Sequence, residues 1–497
     1  MKVLLVYCNS MLENALPIGI SQLSACLKQA GITVELFDTT FYRYGEKSDT
    51  ENRIEALQFP PCQLNFKRED MEQSFRDKIE QFLPDLIGVS VVEPTFLLGM
   101  RLLNSARDII KRNNIPVALR GVHAILAPET VLGYDYDVVD YICISEGEQA
   151  FVELCLKIEK GEDVSGFAGF WIKKAGSWIK NLKAPLTDIN KLPIMDFSIF
   201  GDSYLNKPMM GRFYRTISIE TTRGCPYHCS YCGDYALRNL FKDTGSWFRK
   251  KTMPRVEEEL KAYVKKYAPE FVYIMSESFL AGSPERVKEF IEMYRQFSIP
   301  FWFNTRPEDI TEEKVKLVRE VGCKRVSIGL EHGNEAFRKK YLHRNYTNEK
   351  FKKTCGILKD YDISFSVNII IGFPFETREM IFDSIGVLRN VKPDGVSTHI
   401  YSPYHGSEMR DVCIKNGMIS DDLIAEDFFQ GDYCLKNPTI SRKEILGLFR
   451  TIPLYMEMDK KDYPRIQAAE NFDQEGNAIF FELKKEFHRI KGWDCKG

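Results

Sequence analysis

Two series of short apolar segments, separated by amphipathic stretches, run through most of the chain. The first series contains the five runs KVLLVY (2–7), TVELFD (33–38), DLIGVSVV (85–92), PVALRG (116–121) and VDYICIS (139–145). Apolar, β-branched runs of this kind are typical of strands buried on both faces of a parallel sheet. Between the first two runs, apolar residues recur at helical spacing from Pro17 to Gly31. This alternation predicts an α/β fold with a doubly wound, Rossmann-like domain over residues 1–160.

The second series predicts a parallel barrel that stops short of closure. Its strands are predicted at RTISIETT (215–222), FVYIM (271–275), FWFNTR (301–306), RVSIGLE (325–331), SFSVNIIIG (364–372) and GVSTHIYSP (395–403). Ser283 and Thr311 stand at positions suited to helix N-caps. Six strand–helix units, rather than eight, predict a partial, TIM-like (β/α)6 barrel over residues 211–405. Residues 161–210 are predicted to form a hairpin and linker, and residues 406–497 a small, mostly helical region.

Composition and charge disfavour several classes of protein. The 68 basic and 70 acidic side chains leave a formal charge of -2, which favours neither a nucleic-acid surface nor a polybasic membrane surface. No apolar stretch reaches the roughly 20 residues of a membrane span, and the first residues lack the pattern of a signal peptide. We therefore expect a cytoplasmic protein with no nucleic-acid partner.

Ten of the 13 cysteines are scattered along the chain. In a large chain without a secretory signal, such cysteines are predicted to be reduced and mostly structural. They are Cys8, Cys26, Cys62, Cys143, Cys155, Cys323, Cys355, Cys413, Cys434 and Cys495.

The other three cysteines lie close together, directly after the first strand of the second series. Cys225, Cys229 and Cys232 have the spacing CxxxCxxC within RGCPYHCSYCGD. The carboxyl ends of barrel strands are where such barrels place their active sites. Zinc and a cubane of four irons and four sulfides each require four ligands. With three local thiolates, one iron of a cubane would stay open to an exogenous ligand.

The segment CPYHCSYC resembles the CxxxCxΦC signature of the radical S-adenosylmethionine enzymes, with Tyr231 at the aromatic position. The resemblance implies a 4Fe-4S cluster on the three cysteines and S-adenosylmethionine chelated at the open iron. One electron then cleaves the sulfonium to a 5'-deoxyadenosyl radical, with an electron donor such as flavodoxin or ferredoxin. A structural zinc site is the alternative interpretation.

Later barrel segments resemble cofactor-contacting segments of the same family. They are YIMSESF (273–279), SIGLEHGNE (327–335) and IIGFPFET (370–377). The contacts implied are Ser276, Glu277 and Ser278 at the amino group of S-adenosylmethionine, Ser327 and Glu331 at the nucleoside, and Gly372 and Pro374 near the adenine. Alternatively, Glu277 and Glu331 are solvated carboxylates at strand ends, and Gly372 and Pro374 only shape a turn. YSPYHGSEM (401–409) resembles a substrate-facing turn and implies His405 as a catalytic proton donor or acceptor, against a surface histidine.

Two segments of the first domain resemble the cobalamin-binding domain of one large radical S-adenosylmethionine class. They are RGVHAILAPE (120–129) and ISEGEQAF (144–151). The resemblance implies that His123 lies next to a corrinoid and that Glu93 lies at the same sheet edge. No DxHxxG motif follows the first strand, so no histidine below cobalt is expected from that loop.

The class resemblance implies methylation of an unactivated carbon, or of a phosphinate, on a small-molecule substrate. Ring formation, rearrangement and hydroxylation within the same class remain open. A tRNA methylthiotransferase is disfavoured, because the first domain lacks a second cysteine group and the chain is not basic. A non-catalytic corrinoid or metal carrier is the alternative from another class, and it predicts cofactor binding without cleavage of S-adenosylmethionine.

Overall fold

The computed structural model describes residues 1–13, 15–61, 64–134, 137–209, 212–426 and 433–493. The strands are β1 Lys2–Tyr7, β2 Thr33–Asp38, β3 Leu86–Ser90, β4 Val117–Arg120, β5 Tyr141–Cys143, β6 Phe170–Lys174, β7 Ser177–Lys180, β8 Asn206–Met209, β9 Arg212–Glu220, β10 Thr222–Arg223, β11 Arg249–Lys250, β12 Phe271–Met275, β13 Phe301–Thr305, β14 Cys323–Glu331, β15 Ser364–Ile371 and β16 Gly395–Ile400.

The α-helices are α1 Ile18–Gln29, α2 Asp49–Glu55, α3 Met71–Phe82, α4 Glu93–Ser105, α5 Arg107–Arg112, α6 Val122–Leu126, α7 Pro128–Gly133, α8 Gly147–Glu159, α9 Gly233–Leu240, α10 Met253–Tyr267, α11 Pro284–Tyr294, α12 Glu312–Glu320, α13 Glu335–Leu342, α14 Asn348–Asp360, α15 Arg378–Val391, α16 Glu408–Lys415, α17 Arg442–Glu457, α18 Tyr463–Ala468 and α19 Gln474–Lys491. Single 3-10 turns lie at Phe197–Ile199, Asp202–Tyr204, Pro307–Asp309 and Lys460–Asp462.

The first sheet has the strand order β2-β1-β3-β4-β5-β6-β7. Its first five strands are parallel, with helices in the connections. Val3 to Val6 of β1 are all completely buried, as expected for a central strand with helices on both faces. The predicted doubly wound domain is therefore present.

A hairpin extends this sheet beyond its parallel part. β6 pairs antiparallel with β5, and β7 pairs antiparallel with β6. The sequence predicts a hairpin and linker over residues 161–210, and the hairpin proves to be the edge of the first sheet rather than a separate connection. Phe170 and Ile172 of β6 are buried, and this burial attaches the hairpin to the core of the sheet.

The second sheet has the order β16-β15-β14-β13-β12-β9-β8. Its six parallel strands are the six predicted from the sequence. β8 pairs antiparallel with β9 and was not predicted. As predicted, Thr311 caps α12 by accepting a hydrogen bond from the Lys314 amide, whereas Ser283 holds the N-cap position of α11 without a capping hydrogen bond.

The open side of the barrel at β16 is covered by α2 and the residues that follow it. The Gln58 side chain donates to the Thr398 carbonyl over 3.3 Å and accepts from the Thr398 amide over 3.1 Å. Arg53 donates to the Ser397 hydroxyl over 2.7 Å. Because an unpaired strand edge invites association with other chains, this segment protects the edge of β16.

A buried charge network joins the two sheets below the three clustered cysteines. Arg223 donates to Glu148 over 2.7 Å and to Glu146 over 3.2 Å. Arg249 donates to the other Glu146 oxygen over 2.8 Å. These contacts fix the separate two-stranded sheet of β10 and β11, which follows β9, against the N-terminal end of α8.

The C-terminal region is mostly helical in its described part, as predicted, and α17 packs against α15 of the barrel. The scattered cysteines within the described ranges form no disulfide bonds, while Cys62 and Cys495 lie outside those ranges. Among the described residues, no helix combines the length and apolar character needed to cross a bilayer.

Candidate functional site

The segment of residues 224–232, here called the cysteine loop, follows β9 and β10 at the carboxyl end of the barrel. Gly224 has φ +80°, and a Cβ there would lie 2.6 Å from the Trp247 carbonyl oxygen, so the tight turn requires glycine. The Cys232 amide donates to the Cys229 carbonyl over 3.1 Å. Cys232 is also the N-cap residue of α9, where the helix dipole favours a thiolate.

The three thiols of the cysteine loop are neighbours, because Cys229 acts electrostatically on both Cys225 and Cys232. Thiolates on one zinc at about 2.3 Å lie roughly 3.8 Å apart. Within the described chain, the three sulfurs are not among the groups whose ligand atoms all lie within 4.8 Å of one another. As the loop stands, its three sulfur donors therefore do not converge on a single ion.

Burial raises the pKa of Cys225 and of Cys232 to about 12. Arg306 lies beside the third thiol and donates from Nη1 to the Cys229 Sγ over 3.2 Å. The same guanidinium stacks over the Tyr227 ring at 4.0 Å. A buried cation thus supports negative charge on the cysteine loop.

Tyr231 and Glu331, predicted separately, are joined by Arg344. Its Nη1 lies 3.0 Å from both the Tyr231 hydroxyl and the Glu331 carboxylate, and its Nη2 donates to the Gly329 carbonyl over 2.6 Å. Glu331 has φ +62° at a register shift in β14. Burial raises the pKa of Glu331, and the Arg344 charge opposes that rise.

The three residues predicted after β12 have different surroundings. The Ser276 hydroxyl contacts Thr221 at 2.8 Å and Thr222 at 2.9 Å. The Glu277 carboxyl faces the cysteine loop, since its charge acts on Cys225 and Cys232. Desolvation by the surrounding chain and the charge of Asp234 raise the pKa of Glu277, although the residue itself is exposed at the barrel mouth.

Ser278 contacts the loop after β13. Its hydroxyl donates to Asp309 over 2.6 Å and accepts from the Arg306 amide over 3.1 Å. These contacts position the start of that loop. A contact between Ser278 and a cofactor stays a prediction.

Ser327 lies on the barrel interior, where its hydroxyl accepts hydrogen bonds from Ser366 over 3.3 Å and Asn368 over 3.2 Å. Gly372 ends β15 with φ +85°, and a Cβ there would lie 2.8 Å from the Tyr433 ring. Pro374 is buried in the following turn.

The turn that carries Gly372 and Pro374 is held by the fully buried pair Glu376 and His332. Glu376 Oε2 accepts hydrogen bonds from the Gly372 and Phe373 amides. Its other oxygen lies 2.8 Å from His332 Nε2. The loops after β14 and β15 are therefore fixed to each other.

Glu93, His123 and His405 meet at the boundary between the two sheets, and we call them the interdomain triad. Glu93 begins α4 and lies 2.8 Å from His405 Nδ1 and 3.8 Å from His123 Nδ1. Its carboxylate accepts from the backbone amides of His405 over 2.7 Å and Ala425 over 2.9 Å. The sequence predicted these three residues in two separate roles, and the structure brings them into contact.

The carboxyl edge of the first sheet near the interdomain triad is apolar and accessible. Val92 follows β3 and Val122 follows β4, and their exposed fractions are 45% and 41%. The two strands are paired, so both side chains lie at one edge. Exposed apolar groups grouped at a ligand-binding edge indicate a surface that is covered in use. The apolar character of this edge suits the face of a corrinoid.

Three charged residues of the site were not predicted from the sequence. Arg306 and Glu376 directly follow barrel strands or their turns, and a charge at the carboxyl end of a barrel strand is a usable signal. Arg344 follows α13 and carries no such signal. Its position depends on a contact with Tyr231 across 113 positions of sequence.

Comparisons with known proteins agree with this geometry. Residues 219–388 match the model of the radical SAM superfamily, and residues 5–155 match the model of the B12 binding domain. A methyltransferase of unassigned substrate from Pyrococcus horikoshii is 22% identical over 344 residues, which are 69% of this chain and 72% of that protein. The anaerobic magnesium-protoporphyrin IX monomethyl ester cyclase of Rubrivivax gelatinosus is 25% identical over 351 residues, 68% of this chain and 60% of the cyclase.

Two solved structures share the fold over nearly the whole chain. The methyltransferase TsrM from Kitasatospora setae, solved with cobalamin and a 4Fe-4S cluster, covers 99% of both chains with a TM-score of 0.64 and 14% identity. The match to OxsB, solved with aqua-cobalamin and S-adenosylmethionine, spans 99% of this chain and 72% of the OxsB chain, with a TM-score of 0.67 and 16% identity. At these identities the likeness establishes the fold, which is the fold class predicted from the sequence.

The matched models cover both halves of the site, namely the cysteine loop on the barrel and the apolar edge of the first sheet. The three cofactors predicted from the sequence are those bound in the related structures: cobalamin and a 4Fe-4S cluster in TsrM, and aqua-cobalamin and S-adenosylmethionine in OxsB. The chain therefore combines a B12-binding domain, matched over residues 5–155, with a radical SAM domain, matched over residues 219–388.

Proposed function

We propose that the protein uses cobalamin to methylate an unactivated carbon, or a phosphinate, of a small-molecule substrate. The observation that carries this proposal is the 2.8 Å contact between His405 at the barrel mouth and Glu93 at the carboxyl edge of the first sheet. Each sheet presents the edge at which its fold binds ligands. The contact supports a substrate position shared by both edges.

In this proposal Cys225, Cys229 and Cys232 hold three corners of a 4Fe-4S cluster. With S-adenosylmethionine bound, the cluster supplies a 5'-deoxyadenosyl radical for hydrogen abstraction, and cobalamin supplies the methyl group. Arg306 donates a hydrogen bond to Cys229 and so stabilises the charge of a cluster. A one-electron donor such as flavodoxin or ferredoxin reduces it.

The loops after β12, β14 and β15 are proposed to bind S-adenosylmethionine. Glu277 supplies a carboxylate for its amino group, and Ser276 lies beside it. Glu331, held by Arg344, supplies an acceptor for the nucleoside, with Ser327 below it in the barrel. The turn at Gly372 and Pro374 lies against the adenine, and the buried Glu376 keeps that turn in place.

At the other edge, Val92 and Val122 are proposed to lie under the corrin ring, with His123 and Glu93 at its border. His405 Nδ1 is directed to Glu93, so Nε2 is the His405 atom left to exchange a proton with substrate. We also propose the domain boundaries predicted from the sequence: a cobalamin-binding domain over residues 1–160, a linker over 161–210, the barrel over 211–405 and a helical region over 406–497. One change is needed, because the first sheet continues to Lys180.

The test follows the methyl group of S-adenosylmethionine. Protein reconstituted without air with iron, sulfide and hydroxocobalamin is reduced and given S-adenosylmethionine with a deuterated methyl group. We expect 5'-deoxyadenosine and methylcobalamin that retains the deuterium. Reduced, fully reconstituted protein that forms 5'-deoxyadenosine but no labelled methylcobalamin would contradict the methyl-transfer proposal.

Control variants separate the cofactors in this assay. Cys229→Ala should abolish 5'-deoxyadenosine, whereas Cys434→Ser, at a half-buried cysteine of the C-terminal region, should leave it unchanged. Cofactor binding without any 5'-deoxyadenosine would favour a non-catalytic carrier.

A ring-forming reaction is the second candidate function. It is favoured by the similarity to the cyclases of Rubrivivax gelatinosus and Cereibacter sphaeroides, at 25% and 22% identity. The same assay distinguishes it, because a ring closure that starts with loss of a substrate hydrogen atom to the 5'-deoxyadenosyl radical would yield 5'-deoxyadenosine without transfer of the labelled methyl group.

A further inference from the structure

We propose that the interdomain triad of Glu93, His123 and His405 binds one divalent transition-metal ion, separate from the cysteine loop. The three residues come from the loops after β3, β4 and β16, and each offers one ligand atom within 4.8 Å of the other two. Two imidazole nitrogens and a carboxylate oxygen form a donor set suited to zinc or ferrous iron.

The spacing of the ligand atoms suits a single small ion. Zinc ligands at about 2.1 Å from the metal can lie at most ~4.2 Å apart. Glu93 Oε1 is 2.8 Å from His405 Nδ1, and Glu93 Oε2 is 3.8 Å from His123 Nδ1. Both separations fall within that span, so small side-chain adjustments would complete the coordination.

His123 supplies an independent observation. Its side chain has 0% exposure, and both of its ring nitrogens lack a hydrogen-bond partner among the described residues. Phe96 lies 4.6 Å from its ring and His405 lies 5.4 Å from it. Buried polar atoms in native proteins nearly always have a partner. A metal ion would satisfy the nitrogen that faces Glu93.

His405 reaches the same carboxylate from the barrel side. Its Nδ1 lies 2.8 Å from Glu93 Oε1, which is within hydrogen-bond reach of that oxygen. An ion bound here would replace this contact, with His405 Nδ1 and the carboxylate as two of its ligands.

The Glu93 carboxylate keeps capacity for an ion. It accepts two backbone hydrogen bonds, from His405 and Ala425, and an ionised carboxylate has about four acceptor positions. The nearest cation, Arg410, lies 3.8 Å from Oε1. Its guanidinium donates to backbone carbonyls, including that of Pro403, and so anchors the loop that carries His405.

A second group of similar composition provides a matched control. His228, His343 and Glu408 also converge within 4.8 Å. Their side chains are 39%, 40% and 40% exposed, so water can satisfy them. Exposure removes the main reason to infer an ion there.

The experiment measures zinc in the full-length protein reconstituted with its cluster under anaerobic conditions and dialysed against micromolar zinc. We expect one zinc per chain, and X-ray absorption at the zinc edge should report only nitrogen and oxygen ligands. His123→Ala and His405→Gln should lose this zinc, whereas His343→Ala should retain it. Cluster iron should be the same in all four proteins.

Zinc absent from the unsubstituted protein, sulfur among its ligands, or equal zinc in His123→Ala and His343→Ala would overturn the proposal. If His123→Ala does not fold, the proposal is tested by the zinc content of His405→Gln and by the zinc-edge X-ray absorption spectrum of the unsubstituted protein. Iron content and 5'-deoxyadenosine are measured on the same samples, so a failure here leaves the proposed function separately tested. If hydroxocobalamin, and not zinc, depends on His123, the corrinoid fills the position and the metal proposal is wrong.

Discussion

Arg306 donates a hydrogen bond from Nη1 to the Sγ of Cys229 over 3.2 Å, although 77 residues separate them in sequence. The guanidinium is 7% exposed, so solvent screens its charge only weakly. Hydrogen bonds to cluster sulfurs and local charge are the means by which a protein sets the reduction potential of an iron–sulfur cluster. Arg306 is therefore placed to ease the reduction of a cluster on the cysteine loop.

Replacing Arg306 by methionine should lower the midpoint potential of the cluster, because both a hydrogen bond and a positive charge are lost. The measurement is an anaerobic redox titration followed by the spectrum of the reduced cluster. Arg295→Met, at an arginine whose side chain is 59% exposed, is the control and should leave the potential unchanged. An identical potential in Arg306→Met would contradict the assigned contact.

Replacing Glu146 by alanine should weaken the attachment between the two sheets. The change leaves Arg249 without its acidic partner and removes one partner of Arg223, and breaking a buried ion pair costs about 3 kcal/mol or more. The midpoint of urea unfolding should fall clearly. Glu159→Ala, at an exposed ion pair, should change the free energy of unfolding by roughly 0–1 kcal/mol. Similar midpoints for the two variants would refute the role of Glu146.

Gly372→Ala should impair both stability and the binding of S-adenosylmethionine. Its φ of +85° is strained for alanine, and the added Cβ would lie 2.8 Å from the buried Tyr433 ring. Gly386→Ala is the matched control: it lies inside α15 with no atom within 4 Å of the new Cβ, and should gain about 0.8 kcal/mol. The checks are thermal unfolding and the dependence of 5'-deoxyadenosine formation on S-adenosylmethionine. Equal effects of the two changes would argue against the turn at Gly372.

His399 should make the protein less stable as the pH falls. Burial, together with the charge of Arg53, lowers the pKa of His399 to about 3, while an unfolded histidine has a pKa of about 6.5. The folded state therefore binds fewer protons between these values, so this contribution is complete above about pH 6.5 and is lost towards pH 3. His399→Gln should show a smaller fall in the free energy of unfolding over that window, by up to about 1.4 kcal/mol per pH unit.

The control for this pH dependence is His343→Gln, at a side chain that is 40% exposed. It should follow the unsubstituted protein throughout the window. Parallel stability curves for His399→Gln and the unsubstituted protein would show that His399 is not held neutral in the fold.

Most of the fold is predictable from the sequence because parallel strands buried on both faces are continuous apolar runs. β12, Phe271–Met275, has the predicted limits for this reason. β8 is not predictable, because its sequence NKPM contains a proline and no apolar run, which argue against a strand. The attachment of the hairpin to the first sheet depends on burial of Phe170 and Ile172. The pattern of apolar residues within the hairpin does not show which sheet the hairpin joins.

For the site, the cysteine loop is predictable because its chemistry lies within eight residues of sequence. The contacts that tune it are not, since Arg306 and Arg344 reach it from distant loops. The surroundings of Ser278 are likewise not predictable. Its place after β12 matches the family pattern, and only the folded chain reveals that its hydroxyl donates to Asp309.

The most direct test of the account is the metal content of the cysteine loop together with the fate of S-adenosylmethionine. Protein reconstituted and handled without air should contain about four irons per chain and, after reduction, convert S-adenosylmethionine to 5'-deoxyadenosine. Both signals should disappear in Cys225→Ala, Cys229→Ala and Cys232→Ala. Zinc in place of iron on this loop, or a full cluster that yields no 5'-deoxyadenosine, would contradict the central claim.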